Sequence, residues 1–74
     1  MQPRRFVTLD AKNEPRWIRL YVQPIGDQWV AALVPDGVEP PKPGKVKGMG
    51  FFGGTAAEAT ELALRYVGRC TEQN

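Results

Sequence analysis

One stretch governs what this chain can fold into. Residues Gly48–Cys70 read GMGFFGGTAAEATELALRYVGRC: an apolar run dense in glycine, a two-glycine break, then the one segment with clear helical periodicity. Thr55 is placed to cap that helix, and Glu58 three residues on completes a Thr-x-x-Glu capping box. The helix is expected to run from Ala56 to about Arg69. Ala59, Leu62, Ala63, Tyr66, Val67 and Cys70 follow the i, i+3, i+4 rule and define its expected apolar stripe. Glu61 and Arg65 form an i, i+4 pair in the favourable order. Such a helix is about 21 Å long, close to the roughly 23 Å of a seven-residue strand. One helix can therefore lie along one sheet.

The segments before it read as that sheet. Arg5–Leu9 alternates as a short strand. Asp10–Pro15 is a cluster of turn formers, in which Asn13 tolerates left-handed geometry. Arg16–Gln23 is the strongest strand, with Ile18, Leu20 and Val22 on one face and Trp17, Arg19 and Tyr21 on the other. Gly26-Asp27 is the expected turn pair into Gln28–Val34. That next strand is apolar on both faces, a pattern that requires cover on both faces, and one helix covers only one. Pro35–Lys45 holds four of the seven prolines and two glycines, which makes it a stiff loop rather than a central strand. Val46–Phe52 returns as a strand whose Gly48 and Gly50 leave one face almost bare. Residues 71–74 read as a flexible tail.

The expectation is therefore a single small α+β domain over residues 1–74. It is an antiparallel sheet of three or four strands with one C-terminal helix packed on one face, in the order β-β-β-β-α. Its expected core is Ile18, Leu20, Val22, Phe52, Leu62, Ala63, Tyr66 and Val67.

Composition narrows the function. Histidine is absent, which removes the commonest general base and metal ligand. No carboxylate pair has a spacing suited to acid–base work, so the reading is non-enzymatic, with no cofactor and no metal. Gly48-Met49-Gly50-Phe51-Phe52-Gly53 fits G-x-G-x-x-G formally. Its first glycines fall inside the apolar run, however, and no β-α-β unit follows, so a dinucleotide role is set aside. Cys70, the one cysteine, rules out an internal disulfide. With no secretory leader it fits a reducing, cytoplasmic setting, and no window is long and apolar enough for a membrane span. A net charge of +2 permits weak attraction to phosphate without demanding it.

The polar-aromatic trio Trp17, Arg19 and Tyr21, edged by Arg4, Arg5, Lys42, Lys45 and Lys47, is the candidate binding surface. Such residues suit a protein interface, as a homodimer or with a small protein partner. The alternative is single-stranded nucleic acid, with bases stacked on an open sheet face.

Gly53-Gly54-Thr55-Ala56-Ala57-Glu58-Ala59 resembles the G-x-T-x-x-E-A turn-into-helix signature of the HicB antitoxin family. The order of strands, proline-containing loop and capped helix over Arg16–Arg69 is also similar. The resemblance implies a partial RNase-H-like module that binds a small toxin ribonuclease, here without the family's C-terminal DNA-binding part. Proteins of the PUR-repeat and PC4 kind share the strand-then-helix order without a shared motif.

Overall fold

A computed structural model describes residues 3–9, 12–45 and 49–73. The chain forms β1 (Arg4–Leu9), β2 (Pro15–Ile25), β3 (Gln28–Pro35), β4 (Met49–Gly53), α1 (Ala56–Val67) and β5 (Cys70–Gln73). All neighbouring strands are antiparallel, in the order β4-β3-β2-β1-β5. This is the expected α+β architecture, with one strand more than the sequence announces.

The extra strand corrects the expected tail. Thr71–Gln73 pairs with Arg5–Val7 at the sheet edge, while Asn74 lies outside the described residues. Following strand directions across the sheet, β4 and β5 run the same way at opposite edges. α1 therefore carries the chain back across one face. Its twelve residues span about 18 Å and pack on β4, β3 and β2.

Local chemistry sets the boundaries. Asn13 takes φ 60°, and Gly26, at φ 61°, makes a two-residue turn between paired Ile25 and Gln28. Pro24 sits within β2, beyond the last β1 partner at Leu20, where a missing N–H breaks no ladder on that side. The helix begins at Thr55, whose side chain accepts from the Glu58 N–H at 3.1 Å. Glu58 Oε1 in turn accepts from the Gly54 N–H at 3.4 Å. It ends two residues earlier than Arg69, because Gly68 at φ 78° turns its N–H back to the Leu64 carbonyl at 3.1 Å.

The core under the helix is Phe6, Leu20, Ala31, Leu33, Ala59 and Ala63, with Ile18, Val22, Trp29, Phe51, Leu64 and Val67 packed around it. Leu20 and Ala63 are buried as expected. Phe52, Leu62 and Tyr66 are corrections: all three are exposed. Phe52 lies on the face away from the helix, opposite Val30, while Phe51 takes the inner position. The helix is rolled so that Ala59 and Ala63 meet the sheet and Leu64 joins them, which turns Leu62 and Tyr66 outward. Val46–Gly48, the expected start of β4, lie outside the described residues.

The double-faced strand finds its second cover in the chain itself. Val30, Ala32 and Val34 are at most 2% exposed, yet they lie on the face opposite the helix. On that face Gln23 and Arg19, paired with Val30 and Val34, hydrogen-bond the segment 35–45. Gln23 Nε2 donates to the Lys45 carbonyl at 3.0 Å and its Oε1 accepts from the Gly44 N–H at 3.2 Å. Arg19 donates to the carbonyls of Pro35 and Val38. The proline-rich loop is thus a strap across the sheet. Its rings stiffen it before folding, which lowers the entropy lost when it seats.

Candidate interaction surface

Trp17, Arg19 and Tyr21 do share the face away from the helix, but that face is not open. Besides its two loop carbonyls, Arg19 donates to the Tyr21 hydroxyl at 2.9 Å and lies over the Tyr21 ring. Its Nε is buried without a hydrogen bond and faces Asp36 Oδ1 at 3.6 Å. Asp36 also meets Arg5 at 3.8 Å. Trp17 remains 39% exposed, with the Arg5 guanidinium 4.7 Å above its ring. Lys45 is exposed at the end of the strap, and Lys47 lies outside the described residues. The structure therefore brings the trio together and sets Arg5, expected at its edge, over Trp17, but spends Arg19 on holding the loop.

A different surface carries exposed apolar mass. Met49 is 45% exposed, Phe52 46%, Leu62 38% and Tyr66 61%. Met49 and Tyr66 line one hollow of about 370 Å³ with Ile18, Leu33 and Val67. The Phe51 and Tyr66 rings pack 5.3 Å apart, and Leu62 lies one turn earlier on the same side of α1. Phe52 continues the apolar surface around β4 onto the opposite face. β4 is an outer strand of the sheet, and among the described residues no strand pairs its free side.

The sequence pointed elsewhere because Leu62 and Tyr66 fit a helical stripe as well as Ala59 and Ala63 do. The signal that separates them is Gly53. A Cβ there would stand 2.7 Å from the Ala59 backbone nitrogen, so the helix must rest directly on this residue. Only small side chains fit such a seat, and Ala59 and Ala63, one turn apart, are the small pair.

On the other flank of α1 an open cleft of about 830 Å³ is walled by Val22, Trp29, Ala56, Ala57 and Leu64. Both arginines at its rim are engaged. Arg4 makes a bidentate pair with Glu72, both bonds 2.8 Å. Arg65 binds Glu61 at 2.7 Å. The Arg4 hydrogen bonds hold the Glu72 carboxyl below its ordinary value and push the Arg4 guanidinium above its own. No group of three His, Cys, Asp or Glu among the described residues is placed to hold a metal. No helix there is long and apolar enough to cross a membrane.

No protein-family model, curated protein or solved structure matches this chain.

Proposed function

We propose that this chain is a non-enzymatic protein-interaction module and that it docks through the β4–α1 side. One observation carries the reading: Met49, Phe52, Leu62 and Tyr66 are exposed together beside a strand edge that, among the described residues, no strand pairs. Apolar and aromatic side chains clustered in this way mark protein-binding surfaces. A strand edge adds backbone donors and acceptors that another chain can pair. The likeness of Gly53–Ala59 to the HicB signature is compatible with a small toxin ribonuclease as partner. The same residues also have an architectural explanation, since they seat and cap the helix.

The test is a photoreactive phenylalanine analogue placed at position 66, with position 27 at the hairpin tip as control. Protein adducts from position 66 alone are expected. Absence of adducts at position 66 overturns the reading.

Single-stranded nucleic acid is the second reading. It draws on Trp17, exposed and stacked under Arg5, which is the kind of pair that stacks bases. Arg19 and Tyr21 would join only if the strap left the sheet. Salt-sensitive quenching of Trp17 by oligonucleotides supports this reading, and a flat titration at low salt removes it.

A further inference from the structure

Resting on that interaction reading, we propose that the partner is a second copy of this chain. The two copies pair β4 to β4, antiparallel, about a two-fold axis that passes beside Phe51 and Leu62.

The two ends of the sheet differ in chemistry. β5 is polar and carries Glu72, already bound by Arg4. β4 reads Met-Gly-Phe-Phe-Gly, so it lacks the charge and the proline that commonly keep edges apart. An uncharged edge meets its own copy without repulsion, and antiparallel pairing is the arrangement a two-fold axis generates.

The helix layer is arranged to match. Gly53 touches the start of α1 at Ala59, and Met49 shares a hollow with Tyr66 in its last turn. The middle of β4, Phe51, therefore lies alongside the middle of the helix near Leu62. A two-fold axis there places Leu62 against its own copy and Tyr66 near the first turn of the partner helix. It also brings Glu58 of each copy level with Arg65 of the other; Arg65, turned toward Glu61 on the cleft side, would swing over the top of the helix to meet it. Opposite charges then flank an apolar centre at both ends. Arg65 already binds Glu61 through Nη2, and a guanidinium has five N–H donors, so it retains capacity for a second carboxylate. A chain acidic or basic at both ends of this flank would repel its copy; this one attracts it.

The experiment is sedimentation equilibrium of the full chain with hydrogen exchange at several concentrations. A species of twice the 8.2 kDa chain mass is expected, with β4 amides gaining protection as concentration rises. Leu62→Glu, at an exposed position, should weaken association about tenfold or more while leaving circular dichroism unchanged. In a Cys70→Ser background, oxidised Leu62→Cys should give a covalent dimer that Ala57→Cys, on the far flank, does not. A chain that stays monomeric up to about 1 mM, or β4 exchange independent of concentration, overturns the second-copy proposal. If such a monomer still yields adducts to a different protein from position 66, the interaction reading survives and only the second copy falls. If no adducts appear, both fall.

Discussion

Gly53 lies directly beneath Ala59: a Cβ added to the glycine would stand 2.7 Å from the Ala59 backbone nitrogen and 3.1 Å from the Glu58 Cβ. The obstacle is backbone at the capped start of a helix, which has no rotamer to escape into. This one contact decides how α1 is rolled on the sheet. It buries Ala59 and Ala63 and leaves Leu62 and Tyr66 outside.

Gly53→Ala should therefore lift the helix N-terminus and cost about 1–3 kcal/mol, as overpacking does in well-filled cores. Urea denaturation is the measurement. The same change at Gly54, where an added Cβ meets nothing within 4 Å, is the control and should cost much less.

Gln23→Ala should loosen the strap. The side chain holds the Lys45 carbonyl and the Gly44 N–H, and losing exposed bonds of this kind costs about 1 kcal/mol. Proteolysis within residues 36–45 should accelerate, and a dye that reports apolar surface should bind as Val30, Ala32 and Val34 become accessible. An unchanged cleavage rate would mean that Arg19 and the prolines suffice.

Thr55→Ala removes the acceptor for the Glu58 N–H. A loss of about 1 kcal/mol is expected from chemical denaturation. Thr55→Ser, which keeps the hydroxyl, should recover most of it.

The attachment of β5 should depend on pH. The Arg4 hydrogen bonds lower the Glu72 carboxyl in the folded state. Their stabilisation is thus fully present above the ordinary carboxylate value, about 4.3, and is lost as pH falls through the lowered folded value. Protection factors of the β5 amides should drop on acidification through that window. Glu72→Gln should give the weaker attachment already at neutral pH and remove the acid-dependent step.

Local patterns carried most of the fold. Alternation in Arg16–Gln23 named β2 and its two faces, Gly26-Asp27 named the hairpin turn, and Thr55 with Glu58 named the helix start to the residue. These features are legible because each depends on side chains within a few positions of one another. β5 was not legible. Cys70–Gln73 has no apolar alternation, and it is a strand only because α1 delivers it beside β1, where Arg4 and Thr8 hold Glu72 and the Arg69 carbonyl.

The candidate surface moved for the same reason. That Gln28–Val34 needed cover on both faces followed from its residues alone, and so did the presence of one helix to cover one of them. Which segment covers the other face depended on carbonyls in a proline-rich loop reaching Arg19 and Gln23, some twenty residues away in the chain. Which helix flank stays bare depended on the missing Cβ at Gly53. Alternation and capping are short-range properties of the chain; the strap and the roll of the helix are set by packing between distant segments, and only the assembled molecule brings those segments together.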